Sequence, residues 1–115
     1  MTNKEIIRKI NEGFNSGNEE AILEHLADDI KWDMPDGFSL VGKEAFRKEA
    51  SNAFVIDPPR IKVLTELEDG DYVAVEGTVE ATKREGGIFS ANFFDIYRIE
   101  NGKVKEMRSY VIEKK

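Results

Sequence analysis

A chain of 115 residues, 40% hydrophobic and 35% charged, has the size of one compact domain with one core and a well-solvated surface. Its 23 acidic and 17 basic residues leave a net charge of −6, interspersed along the chain, which argues against nucleic acid or an anionic membrane as partner. With no cysteine and one histidine, His25, the composition excludes disulfides, thiol catalysis, thiolate metal sites and multi-histidine metal sites.

The chain starts on polar residues with no long apolar run behind them. We therefore expect no signal peptide, no membrane span and a cytoplasmic location. Residues 4 to 14 read as an amphipathic helix, because Ile6, Ile7, Ile10 and Phe14 recur at helical spacing. Asn15-Ser16-Gly17-Asn18 stops it: Gly17 tolerates positive φ, and Asn18 can cap the next helix. That second helix is expected over residues 19 to 27, with Ile22, Leu23 and Leu26 on its apolar side and His25 as a boundary residue. Ile30 to Met34 alternates as a short strand that Pro35-Asp36-Gly37 ends. Gly42 precedes a third helix over about 43 to 54, with Phe46, Ala50 and Phe54 in one stripe.

At Asp57-Pro58-Pro59 the pattern changes, since two prolines cannot continue a helix. Period two then takes over. One strand begins at Ile61-Lys62-Val63 and turns at Glu68 to Asp71. The next places Val73, Val75, Gly77 and Val79 on one face. Arg84-Glu85-Gly86-Gly87 signals a hairpin into a strand from about Ile88 to Glu100. Asn101-Gly102 is the strongest hairpin turn in the chain, and the last strand, Lys103 to Ile112, carries Met107, Ser109 and Val111 on one face. The layout is α+β, with tight turns that predict an antiparallel sheet curved into a cone, helices on one face and residues 1–115 in one domain.

The most informative segment is Phe93-Phe94-Asp95-Ile96-Tyr97-Arg98-Ile99. Alternation puts Phe93, Asp95, Tyr97 and Ile99 on one face and Phe94, Ile96 and Arg98 on the other. A carboxylate in a row of large apolar side chains is costly unless paired, protonated or wet, so Asp95 marks a site. Desolvation should raise its pKa and let it donate a hydrogen bond. The competing reading is a structural aspartate satisfied by Tyr97, Trp32 or a backbone amide.

Several short motifs, in order, resemble those of the nuclear transport factor 2-like superfamily, specifically its SnoaL-like and ketosteroid-isomerase-like bacterial members. They are Asn15-x-Gly17, Leu26-Ala27-Asp28-Asp29-x-x-Trp32, Pro35, Gly42, Asp95-x-Tyr97-Arg98, Gly102-Lys103-Val104 and Arg108-Ser109-Tyr110. The resemblance implies a cone-shaped fold over nearly the whole chain but no particular activity. Ketosteroid isomerases polarise a carbonyl with a tyrosine and a protonated aspartic acid, while a second aspartate moves the proton. On this alignment Ile10 stands in the place of the tyrosine, Met34 in that of the shuttling aspartate, and only Asp95 matches. The chain is therefore not expected to be a ketosteroid isomerase. The Arg-Glu-Tyr segment common in SnoaL-like proteins is here Arg108-Ser109-Tyr110, so that acid is absent as well.

Two functions remain open at this point. One is a non-catalytic domain that binds a small apolar or aromatic molecule. The other is an isomerase, cyclase or hydratase-like lyase with Asp95 as general acid or hydrogen-bond donor and Tyr97 assisting. In either, the expected lining is Ile10, Phe14, Trp32, Met34, Phe46, Phe54, Phe93, Met107 and Ser109, with no metal and no cofactor. Asp28-Asp29 reads as a solvated turn. Phe94, Ile96, Tyr110 and Ile112, on the sheet face without helices, are expected to form a homodimer interface, as is common for that face in the superfamily.

Overall fold

The periodicities become three helices and six strands among the residues that the computed structural model describes, 1–35, 37–53 and 57–114. Helix α1 (Asn3–Ser16) starts at Thr2, whose hydroxyl accepts from Glu5 N–H while Glu5 returns a bond to Thr2 N–H. It ends at Gly17, in the left-handed region at φ 67°. Asn18 caps α2 (Glu19–Leu23) by accepting from Ala21 N–H.

The expected helix over 19 to 27 is cut short. Leu26 opens strand β1 (Leu26–Asp33), and His25 lies in the turn before it. Sheet pairing overrides the helical periodicity: the carbonyl of His25 accepts from Val104 N–H at 2.8 Å, and Leu26, 2% exposed, pairs with Val104. A strand that alternation did not reveal, β2 (Ser39–Val41), folds back on β1 through a turn closed by Met34 N–H on Phe38 C=O. Helix α3 (Lys43–Ala53) comes next; Phe54 lies outside the described residues. Then come β3 (Arg60–Asp69), β4 (Tyr72–Thr82), β5 (Ile88–Glu100) and β6 (Lys103–Glu113).

The strands form one sheet in the order β2-β1-β6-β5-β4-β3. It is mixed, which corrects the expectation of an antiparallel sheet. The four strands after Pro59 are antiparallel, as their tight turns require, but β1 lies parallel to β6. Parallel neighbours need a long crossover, and α3 with the β3–β5 meander supplies it. At the hairpin turn Asn101 and Gly102 both have positive φ, 52° and 76°.

Two features interrupt the regular sheet. Register shifts interrupt the β3–β4 ladder between Val63 and Thr65 and the β5–β6 ladder between Arg98 and Ile99, and bulges of this kind bend strands. Opposite the first, Gly77 has no room for a side chain: a Cβ there would lie 2.1 Å from Lys62 O and 2.9 Å from the Phe93 ring. Helix α1 is held along β3 by side chains. Arg8 pairs with Glu66 at 2.9 Å, and Asn15 both accepts from Ile61 N–H (2.7 Å) and donates to Ile61 C=O (3.2 Å), as a neighbouring strand would. The core between helices and sheet joins Ile7, Ile10, Ile22 and Phe46 to Val73, Val75, Tyr97 and Val104.

Candidate functional site

The core does not fill the space near one end of the sheet. A cavity of about 280 Å³ remains there. Helix α1 contributes Asn11 and Phe14, β1 contributes Trp32, and Met34 lies just beyond that strand. The inner face of the meander supplies Phe93, Asp95 and Tyr97 from β5 and Met107, Ser109 and Val111 from β6. Pro59, Ile61, Val79, Ala81 and Phe89 complete the lining, where β3 and β5 begin and β4 ends. Most of the wall is apolar, and among the described residues it contains no lysine, arginine or histidine.

Asp95 sits on this wall at 8% exposure. Ser109 stands directly across the β5–β6 ladder from it, and Tyr97 is two residues along the same face. The Tyr97 hydroxyl donates to Asp95 Oδ2 at 3.3 Å. Trp32 Nε1–H donates to Ser109 Oγ at 3.1 Å, so the indole reaches the carboxyl only through the serine. Burial pushes the Asp95 carboxyl up to about 6, against hydrogen bonds from Ser109 and Tyr97 that favour its ionised form. Burial also raises Tyr97 well above the usual phenol range, and the neighbouring Asp95 adds to this. Arg98, the cation nearest in sequence, is on the outer face, where it pairs with Glu100 and Glu106. The opposite strand parity of Asp95 and Arg98 accounts for that separation.

Of the expected residues, Asp95, Tyr97, Phe14, Trp32, Met34, Phe93, Met107 and Ser109 all border the cavity. Ile10 and Phe46 do not. Both are fully buried. Phe46 packs behind the wall, 4.6 Å from Trp32 and 6.4 Å from Phe14 between ring centroids, and steadies the aromatics that do face the space. Phe38 meets Trp32 edge-on at 4.9 Å. Asp28 and Asp29 pair with Lys43 and Lys105, and no cluster of three or more metal-ligating side chains occurs among the described residues. On the outer sheet face Phe94 (38% exposed), Tyr110 (43%) and Ile112 (71%) stand open.

Sequence reasoning passed over Asn11. Its signal was available: Ile7, Asn11 and Phe14 keep helical spacing, so a polar residue interrupts an apolar stripe. Phe89 and Ala81 were not identifiable as cavity residues, because their place depends on how far the strands extend past the helices.

No curated protein matches the sequence. Solved structures do. TerC, co-crystallised with polyporic acid, is 26% identical, with a TM-score of 0.82 over 97% of this chain and 91% of that one. A Xanthomonas campestris pv. campestris protein provisionally assigned as a polyketide cyclase is 20% identical, with a TM-score of 0.82 over 93% and 87% of the two chains. A Catenulispora acidiphila protein with a ketosteroid isomerase-like fold, solved with trimethylamine, is 16% identical, with a TM-score of 0.84 over 95% and 86%. These likenesses agree with the fold built above, and the model of the SnoaL-like domain matches residues 7–107. The chain belongs to the SnoaL-like family, and its fold is the one seen in solved NTF2-like proteins.

Proposed function

We propose that this protein binds a small, mostly apolar molecule in the cavity, with Asp95 as its polar contact, and that it does so as a homodimer. The observation that carries this reading is a buried carboxyl on an aromatic wall with no cation beside it among the described residues. A purely structural aspartate would be better placed beside a cation or replaced by an apolar residue. At about pH 6 and below, Asp95 can hold a proton and donate it in a hydrogen bond to a carbonyl or hydroxyl oxygen of the ligand. Phe14, Trp32, Met34, Phe93, Met107 and Ser109 would enclose the rest. The test is a thermal-shift screen of aromatic ketones, phenols and quinones, polyporic acid included because TerC was co-crystallised with it. Hits should stabilise the wild type and lose most of their effect in Asp95→Ala. Stabilisation that survives the substitution would remove Asp95 from the site.

The same carboxyl favours a second reading, in which the protein is an isomerase, cyclase or hydratase-like lyase. A group titrating near 6 is matched to proton transfer at physiological pH, and Tyr97 is hydrogen-bonded to it. In that reading, protonated Asp95 polarises the ligand carbonyl as general acid, Tyr97 steadies it through the hydroxyl–carboxyl hydrogen bond, and solvent water takes the α-proton. Exchange of α-protons of a bound cyclic ketone in D2O, abolished in Asp95→Asn, would support catalysis. Binding without exchange would leave the protein a binder.

The proposed dimer uses the outer face of β5 and β6. Phe94, Ile96, Tyr110 and Ile112 share that face, and no helix among the described residues packs on it. Light scattering should give twice the chain mass for the wild type and the chain mass for the Phe94→Arg, Ile96→Arg double variant. A monomeric wild type at high concentration would overturn it.

A further inference from the structure

The side-chain amide nitrogen of Asn11 has no hydrogen-bond partner among the described residues. The residue lies on the buried side of α1 at 7% exposure, and its Nδ2 is closed off from solvent with no acceptor in reach among the described residues. Leucine would fit the surrounding stripe of Ile7, Ile10 and Phe14 without leaving a donor unpaired. The other polar groups of the wall are engaged with one another: Trp32 with Ser109, and Tyr97 and Ser109 with Asp95. Asn11 borders the same cavity from the helical side. A 180° turn of its carboxamide exchanges oxygen and NH2, so it can offer a ligand either an acceptor or a donor.

We propose that Asn11 is a second polar anchor of the ligand site, carried by α1 as Asp95 is carried by β5. The cavity would then take an uncharged, rigid ring system bearing two oxygen functions, hydroxyl or carbonyl, one for each anchor. This rests on the ligand-binding reading above and names its ligand class. The volume, near the lower end for ligand pockets at roughly 300 Å³, admits a molecule of about two fused rings. The charge preference comes from the wall. An anionic ligand would place a second negative charge beside Asp95, with no lysine, arginine or histidine among the described lining residues to balance it.

The experiment is calorimetric titration with 2-naphthol and 2,6-dihydroxynaphthalene, which share a ring system and differ by one hydroxyl. The wild type should bind the diol about tenfold more tightly, the effect of one well-made hydrogen bond. In Asn11→Leu and Asn11→Met the preference for the diol should vanish. Without ligand, both variants should melt a few degrees above the wild type, because the unpaired donor is gone. A diol preference that persists in both variants overturns the proposal, as does equal binding of the two naphthols by the wild type; either result leaves the ligand-binding reading standing. Binding of neither naphthol by the wild type overturns the proposal too, while the ligand-binding reading is decided by the broader screen with Asp95→Ala. A marked fall in melting temperature in both variants would show that the fold itself uses the amide, which also overturns the proposal.

Discussion

The two faces of the β5–β6 ladder carry the same chemistry and resolve it in opposite ways. On the outer face Arg98 hydrogen-bonds Glu106 and Glu100, Arg108 lies 3.7 Å from Asp33, and Arg98 holds the Glu106 carboxyl below its usual range. On the inner face the partners of Asp95 among the described residues are a phenol and a serine, and burial raises it instead. The two acids are on adjacent strands of one ladder. The difference shows that the surroundings, and not the residue type, decide whether a carboxyl is a fixed surface charge or an exchangeable proton.

The contrast can be broken first through packing. Gly77→Ala, on the inner face, forces a Cβ against Lys62 O and the Phe93 ring, and should cost about 3 kcal/mol or more in urea unfolding. The outward neighbour Glu76, exposed and bonded to Thr65, should tolerate alanine with little change. Equal losses at the two positions would erase the distinction.

Protonation sharpens the contrast next. The Asp95 pKa is higher in the folded chain than in the unfolded one, so between about pH 4 and pH 6 the native state holds more protons. The contribution of Asp95 to stability is therefore fully present below about pH 4 and lost as pH rises through 6. A change of about two units corresponds to about 3 kcal/mol. Asp95→Asn should accordingly raise stability by up to that amount above pH 7 and by almost nothing at pH 4. A pH-independent gain, or a loss above pH 7, would contradict the account.

Two substitutions should have smaller effects. Trp32→Phe keeps an aromatic against Phe46 but removes the bond to Ser109, and should cost about 1 kcal/mol. Smallest of all is Arg98→Ala, whose pairs lie in solvent. Its effect should shrink further in high salt and leave the Asp95 titration unmoved. A shift in that titration would mean that the two faces communicate.

How much of this was legible in the sequence differs between the strands and the first helices. Period-two alternation and the Asn101-Gly102 turn placed Phe93, Asp95, Tyr97, Met107 and Ser109 on one face correctly, because the side chains of a strand have only two directions to take. The stretch from Leu26 to Asp29 does not read as strand, since its strand character comes from pairing with β6, far away in the chain. The same long-range pairing makes the sheet mixed. Ile10 and Phe46 were expected in the wall because sequence spacing reports that a residue faces inward, not how many layers lie between it and the cavity. Asn11 was legible as a polar break in a helical stripe and was passed over.

The central claim is that Asp95 is an acid raised by burial. Carboxyl-carbon NMR titration of Asp95 in the wild type, with Asp95→Asn to assign the signal, tests it without any ligand. The account predicts a midpoint near pH 6. A midpoint at or below the ordinary aspartate value of about 3.9 would contradict it.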